Sequence, residues 1–245
     1  MQKDLLRGLL AAAALFLCIV VPVPAAKAAE RITLVFVGDT GTNQSGAPIS
    51  PDGGYKGWRL RSIADALQPI RPWLEADLVV ANLESVVTDR SDLSARGKRF
   101  VFQMHVNGAR ALLHAGINAF STANNHALDF GGQGAGETLQ HLEALQPHGL
   151  LAWPGVGRNR QAALAPHIFE RGGVSIAMSS FGIGGGGLPP RVNHAGTLSG
   201  TISGENFSAL TNRLADQPAD LRILSVHYGQ EFAPIVPATE IRRLR

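Results

Sequence analysis

Residues 118–126 have the sequence NAFSTANNH, which ends in three polar side chains. The segment 118–122 predicts a β-strand that runs into these side chains. A helix with Asn107 as its N-cap and Gly116 at its end is predicted before this strand, and a second helix ending near Leu145 is predicted after it. A strand placed between two helices is typical of α/β proteins, whose strands form a largely parallel sheet.

The same alternation continues through the rest of the chain. Further apolar runs predict strands at residues 32–37, 78–81, 174–180 and 222–226. Apolar spacing predicts a helix from Leu60 to Leu67, which Pro69 and Pro72 interrupt or restart. Residues 41–57 are polar and rich in glycine, so we expect a long loop there, of the kind that often carries function. The pattern as a whole predicts an α/β domain.

Polar side chains able to bind a ligand follow four of the predicted strands: Asp39, Glu84, Asn125 with His126, and His227. Ligands of open α/β sheets bind beyond the carboxyl ends of the strands, so these side chains are expected to meet at one edge. Carboxylate, amide and imidazole donors together suit Mn²⁺, Fe²⁺ or Zn²⁺. Two such ions would clamp the oxygens of a phosphoester, and His126 would protonate the leaving group or stabilise developing charge.

Each of these signals alone also has a simpler interpretation. Asn124 and Asn125 are common turn residues, because asparagine tolerates a left-handed backbone. A histidine at a strand end, such as His227, is often a structural residue with its hydrogen bonds satisfied. No serine lies in a G-x-S-x-G elbow, so a serine hydrolase is unsupported. The remaining histidines match no motif and are interpreted mostly as surface or packing residues: His105, His114, His141, His148, His167 and His194.

The N-terminal residues 1–29 have the pattern of a secretory signal peptide. Lys3 and Arg7 precede an apolar run that ends at two prolines, and the small residues around Ala28 suit cleavage after residue 28 or 29. The apolar run is shorter than the about 20 residues that a membrane-spanning helix needs. We therefore expect an exported protein, periplasmic or secreted, with an uncleaved N-terminal membrane anchor as the alternative.

The charge of the chain changes once this segment is set aside. Residues 1–29 hold three of the 22 Lys and Arg residues and one of the 19 Asp and Glu residues, which leaves a formal charge of +1. They also hold Cys18, the only cysteine, so the remainder has no thiol or disulfide chemistry. With only 6% aromatic residues as well, nothing favours nucleic-acid binding.

Several separated blocks of the sequence resemble the CapA family of bacterial capsule-synthesis proteins, which are associated with poly-γ-glutamate. The blocks are Gly38-Asp39, Asn82-Leu83-Glu84, Lys98–Phe102, Leu112–Ala119, Ala123–Gly131 and His227–Phe232. The resemblance covers about residues 32–240. It implies a metallophosphoesterase-like layered sandwich with mixed, largely parallel sheets in a domain of residues 30–245.

The resemblance also implies roles for individual residues. Asp39 would bind a first metal ion, and Glu84 would replace the bridging aspartate of ordinary metallophosphoesterases, with Asn82 as the alternative residue pointing into the site. Asn125 would bind a second metal ion and His227 would be a further ligand. The catalytic role would belong to His126, which would face the phosphate-like group.

The family has a later Gly-His-x-Pro-His block with further histidine ligands, and this sequence ends at Arg245 without it. We therefore expect a C-terminally truncated domain; if the 245 residues are the natural product, a degenerate site is expected instead.

The leading hypothesis is an exported CapA-like protein with a dinuclear metal site that hydrolyses or transfers a phosphoester or acyl-phosphate group. Its partners would be an anionic polymer or phosphoester substrate and membrane-bound capsule synthesis or export proteins. The alternatives are a non-catalytic polymer-binding or export-assembly component, and a secreted phosphatase of nucleotides or phosphosugars.

Overall fold

A computed structural model of the chain describes residues 31–41, 63–95, 97–98, 100–184 and 195–229, together with residues 238 and 242. The β-strands are β1 (Leu34–Thr40), β2 (Leu78–Leu83), β3 (Val86–Val87), β4 (Gln103–Met104), β5 (Ala119–Ser121), β6 (Val156–Gly157), β7 (His167–Arg171), β8 (Val174–Ile183), β9 (Gly196–Thr197), β10 (Ser199–Gly200) and β11 (Leu221–His227). The α-helices are α1 (Ile63–Leu67), α2 (Val106–Ala115), α3 (Gly131–Leu145), α4 (Arg160–Leu164) and α5 (Glu205–Ala215). Short 3₁₀ helices cover Arg71–Leu74 and Gln146–His148.

The first sheet consists of three parallel strands in the order β1-β2-β5. The central strand β2 is buried along its whole length, which explains its uninterrupted apolar sequence. Strand β1 has an irregularity between Phe36 and Asp39, after which Asp39 pairs with Asn82. This register places two polar side chains side by side at the carboxyl edge of the sheet.

The second sheet is built around β8, which is the longest strand of the described residues. Strands β10 and β11 pair with β8 in parallel, and β7 pairs with it antiparallel through a tight connection. Its pairing with β11 aligns His227 with Gly182. The carboxyl end of β11 therefore brings the imidazole of His227 to the edge of this sheet.

Three apolar clusters order the elements into layers. Alternate residues of β2 point to opposite faces: Val79 and Ala81 pack with α1, α2 and α3, whereas Leu78 and Val80 pack with Ile176 and other residues of the second sheet. The other face of the second sheet packs against α4 and α5. The order helix, sheet, sheet, helix confirms the predicted α/β sandwich, and most strand pairs are parallel as expected.

Several predicted boundaries are corrected by the structure. Asn107 is not the N-cap of α2: that position belongs to His105, whose Nδ1 atom accepts a hydrogen bond from the backbone N–H of Asn107 at 3.1 Å. The helix does end at Gly116 as predicted, with φ of 120° and a Cβ position that would meet the Leu74 carbonyl oxygen at 2.7 Å. Strand β8 runs three residues beyond its predicted end at Ser180.

Two predictions fall largely on other parts of the chain. The signal peptide at residues 1–29 lies outside the described residues, as does the predicted loop at 41–57 except for Gly41. Among the helices of the described residues, none is long and apolar enough to cross a membrane.

Candidate functional site

The structure brings the sequence-predicted site residues to one edge of the sandwich. Asp39 lies near the end of β1, Glu84 directly follows β2, Asn125 and His126 lie in the loop after β5, and His227 ends β11. A cleft of about 320 Å³ opens here between the two sheets, and Asp39, Asn82 and His227 are among its lining residues. The convergence expected at the carboxyl ends of the strands is therefore present.

His227 is the point at which the four strand ends meet. Its Nε2 atom lies 2.8 Å from Oδ1 of Asn125 and 3.8 Å from Oε1 of Glu84. Its Nδ1 atom lies 3.1 Å from Nδ2 of Asn82 and 3.8 Å from Oδ1 of Asp39. One half-buried imidazole thus touches or approaches side chains from β1, from the end of β2 and the residue after it, and from the loop after β5.

The burial of His227 lowers the pKa of its imidazole below the usual value. The negative charge of Asp39 opposes this effect and the neighbouring His126 adds to it. The imidazole is consequently held in its neutral form at neutral pH, which is the form that binds metal ions.

The sequence left open whether Glu84 or Asn82 points into the site. In the structure, both side chains face it. The Asn82 amide Nδ2 donates to Oδ1 of Asp39 at 2.7 Å, and its Oδ1 accepts from Nδ2 of Asn124 at 3.0 Å. Asn124 in turn accepts the backbone N–H of His126 at 3.1 Å, a local turn contact of the kind predicted for asparagine. Asn124 is thus structural, whereas Asn125 directs its side chain to His227.

His126 is held in place by residues to which the sequence assigned no role. Its Nδ1 atom lies 2.6 Å from Oδ2 of the fully buried Asp129, and its ring stacks on Phe102 with centroids 3.8 Å apart. Asp129 also accepts from the backbone N–H of Phe102 at 2.6 Å and from Nζ of Lys98 at 2.5 Å. Lys98 donates in addition to the backbone oxygen of Asn125 at 2.7 Å. Lys98, Phe102 and Asp129 lie in the blocks that resemble the CapA family, and this was the available signal for them.

This bonding leaves the other ring nitrogen of His126 free to act in the site. A carboxylate beside Nδ1 keeps the proton on that atom, so Nε2 is the nitrogen that faces outward. Nε2 lies 3.8 Å from Oε1 of Glu84. His126 and His227 therefore approach the same Glu84 oxygen from two directions.

The donor set fits divalent metal ions. Two carboxylates, one amide oxygen and one neutral imidazole are the mixed oxygen and nitrogen donors that Mn²⁺, Fe²⁺ and Zn²⁺ accept. The donors are spread along the edge rather than gathered in a tight trio. One imidazole nitrogen of His227 lies 3.8 Å from Asp39, and the other lies 3.8 Å from Glu84.

A compact group of potential metal ligands lies elsewhere. Asp89, Glu137 and His141 each offer one ligand atom, and these atoms all lie within 4.8 Å of one another. Within the described ranges, this is the group of at least three carboxylate and imidazole side chains whose ligand atoms all lie that close together. The sequence interpretation placed His141 among surface or packing histidines; the E-x-x-x-H spacing of Glu137 and His141 on α3 was the available signal.

The protein is an α/β sandwich, and its strand edge carries a polar cluster of histidine, carboxylate and amide side chains. The family model described as bacterial capsule synthesis protein PGA_cap matches residues 33–245, and the chain belongs to this family.

Individual relatives agree with this assignment. The chain is 28% identical over 178 residues to the PGA biosynthesis protein CapA of Bacillus subtilis, which covers 70% of this chain and 43% of that protein. It is 25% identical over 234 residues to a probable polyglutamine synthesis accessory protein of Mycobacterium tuberculosis, covering 83% of this chain and 61% of that protein. The chain thus spans about half the length of these relatives. The crystal structure of a hypothetical protein from Thermus thermophilus aligns with 19% identity and a TM-score of 0.40, over 80% of this chain and 58% of that one.

Proposed function

We propose that this chain is an exported CapA-like protein of capsule or poly-γ-glutamate biosynthesis that hydrolyses or transfers a phosphoester or acyl-phosphate group at the strand edge. The observation that carries the proposal is the position of His227, within 3.8 Å of Asp39, Glu84 and Asn125 at once. The parallel strand topology brings donors from four separate strand ends to one cleft, and such a cleft is the usual place of ligand sites in α/β proteins.

Asp39, Glu84, Asn125 and His227 would hold two divalent ions, Mn²⁺, Fe²⁺ or Zn²⁺. When bound, the ions would polarise the phosphoryl oxygens and lower the pKa of a bound water molecule. The half-exposed Asp39 and the cleft beside it leave room for a substrate to reach this edge. An anionic polymer or its activated precursor is the substrate class that fits a cationic metal centre.

His126 would supply the proton for the leaving oxygen. Asp129 lies beside Nδ1 and fixes the ring, so Nε2, which would carry the donated proton, points out of the loop toward Glu84. Stacking on Phe102 restricts rotation of the ring. The residues around His126 therefore orient one proton donor rather than binding substrate themselves.

A non-catalytic role in polymer binding or export assembly is the second candidate. It is favoured by the hydrogen bonds that the edge side chains make with one another, since Asn82 satisfies Asp39 and His227 satisfies Asn125 within the chain itself. Such an edge keeps its shape without ions. In this case the partners would be the capsule polymer or membrane-bound capsule synthesis and export proteins.

The two candidates are separated by metal content and phosphoesterase activity measured on the same samples. Purified protein is compared with His227→Ala and Asn125→Ala, using p-nitrophenyl phosphate and bis(p-nitrophenyl) phosphate with added Mn²⁺, Fe²⁺ or Zn²⁺. The matched controls are His114→Ala and Asn212→Ala, which change exposed residues of α2 and α5. The enzyme proposal expects both site variants to lose metal and at least about 100-fold of the activity. Absence of metal and activity in the unmodified protein would support the binding role instead.

A further inference from the structure

The trio formed by Asp89, Glu137 and His141 shares no residue with the strand-edge site. Glu137 and His141 occupy adjacent turns of α3, and Asp89 lies in the segment after β3. Nε2 of His141 lies 3.7 Å from Oδ1 of Asp89 and 3.8 Å from Oε2 of Glu137. We propose that these three side chains form a second binding site, which holds one divalent ion such as Zn²⁺.

The histidine provides the first argument. Nε2 of His141 is buried and has no hydrogen-bond partner among the described residues. A buried polar atom without a partner is destabilising, so such atoms call for an explanation. Here the atom is directed at two carboxylates, and a metal ion between them would satisfy it.

The distances provide the second argument. A tetrahedral Zn²⁺ ion with ligands at about 2.0–2.1 Å places its ligand atoms about 3.4 Å apart. The observed 3.7 and 3.8 Å exceed this by only a few tenths of an ångström. Small side-chain rotations would close that gap, and a water molecule would take the fourth position. One imidazole with two carboxylates is a donor set that zinc accepts.

The surrounding residues orient the trio. The Thr88 hydroxyl donates to Oε2 of Glu137 at 3.1 Å, the type of outer contact that fixes a ligating carboxylate. Arg90 approaches the other oxygen, Oε1, at 3.7 Å, and is itself paired with Asp92 at 2.8 Å. Three carboxylates against one guanidinium leave a net formal charge of −2 beside His141. The pocket therefore attracts a dication even with Arg90 present.

The position of the trio indicates what the ion would do. The backbone N–H of Val87 donates to the Thr138 hydroxyl at 3.0 Å, so β3 and α3 are already in contact through buried groups. A zinc ion would add a bond between the segment after β3 and two turns of α3. We expect it to stabilise this part of the fold rather than to take part in chemistry at the strand edge.

The test uses protein that has been stripped with a chelator and that carries the Asn125→Ala and His227→Ala changes, so that the strand-edge site contributes no binding. Zn²⁺ alone is titrated by calorimetry. We expect one ion per chain and a rise in melting temperature of roughly 5–10 °C at a Zn²⁺ concentration about a hundred times Kd. Asp89→Asn should weaken binding at least about tenfold, and His141→Gln should abolish it.

Two features keep the outcome interpretable. The Asp89 side chain is 56% exposed, so its replacement does not disturb packing even if the His141 variant fails to fold. Glu143→Gln is the matched control, since it removes an exposed carboxylate of α3 outside the trio and should leave Zn²⁺ binding intact. The proposal would be overturned if micromolar protein bound no Zn²⁺ at Zn²⁺ concentrations up to about 100 times that of the protein. It would also be overturned if Asp89→Asn left Zn²⁺ binding unchanged. Either result is independent of whether the strand-edge site is catalytic.

Discussion

The buried carboxylate of Asp129 lies 2.6 Å from Nδ1 of His126. Asp129 has no solvent exposure, and its other contacts are also hydrogen-bond donors, from Lys98 and from the backbone of Phe102. A charged group with three donors in a buried position defines the tautomer of the histidine beside it. The orientation of His126 is consequently a property of the fold and not of a bound substrate.

Replacing Asp129 with asparagine should impair the proposed proton donor. The amide nitrogen of the introduced asparagine would face at least one of the three donors, so the ring would lose its fixed tautomer. We expect kcat for phosphoester hydrolysis to fall about 100-fold, with metal content unchanged. Proton NMR of the imidazole N–H adds a test of tautomer that does not depend on activity.

Asp216→Asn is an exposed control at the end of α5 and should change neither measurement. An unshifted N–H resonance in Asp129→Asn would contradict the assignment of the tautomer.

Lys98 should matter for stability because it neutralises Asp129. Its side chain is partly exposed, whereas its partner is fully buried. We expect Lys98→Met to reduce the free energy of unfolding by about 1–3 kcal/mol, since a buried carboxylate loses a charged donor. Urea denaturation measures this value.

The matched variant for this experiment is Lys98→Arg, which keeps the charge and should lose less stability. Combining Lys98→Met with Asp129→Asn should cost less than the sum of the two single changes, because both remove the same contact. Simple additivity of the two losses would show that the pair is not coupled.

Gly155 should be intolerant of a side chain for a reason that involves the site. Its φ is 122°, and a Cβ atom there would lie 2.4 Å from the backbone nitrogen of Ala123, the residue that begins the loop to His126. We expect Gly155→Ala to destabilise the protein by about 2–4 kcal/mol, from backbone strain and overpacking. Gly136→Ala is the control: it lies within α3 with open space at the Cβ position, and should stabilise by about 0.5–1 kcal/mol. Thermal unfolding of both variants compares the two directions, and equal melting temperatures would contradict this interpretation.

His167 should make the folded protein sensitive to acid. Burial lowers the pKa of its imidazole from 6.5 to about 4, and its Nδ1 atom accepts the backbone N–H of Trp153 at 3.3 Å. Between pH 6.5 and about 4 the unfolded chain takes up a proton at this residue and the folded chain does not, so stability falls as the pH decreases through that window. Below about pH 4 both states are protonated and the loss is complete, at about 3 kcal/mol.

Denaturation at neutral pH and at two points inside this window tests the dependence. His167→Gln keeps an acceptor for Trp153 but does not titrate, so its stability should decline less with acid than that of the unmodified protein. Parallel declines for the two proteins would show that other groups cause the acid sensitivity.

The layered fold was predictable because its signals are local. The apolar run of β2 and the helical spacing of α3 each indicate an element by themselves, and the polar residues that follow β1, β2, β5 and β11 then meet by topology. The contact between Lys98 and Asp129 was not predictable in this way, because the two residues are 31 positions apart and no periodicity joins them. The capping of α2 by His105 was missed because histidine is not among the preferred N-cap residues.

Anomalous diffraction from crystals grown with Mn²⁺ tests most directly whether the strand edge is a metal site. We expect anomalous peaks at about 2.0–2.2 Å from donor atoms of Asp39, Glu84, Asn125 and His227, which disappear in His227→Ala crystals. Crystals that show no peak at this edge, or a peak only beside His141, would contradict a metal site at the strand edge.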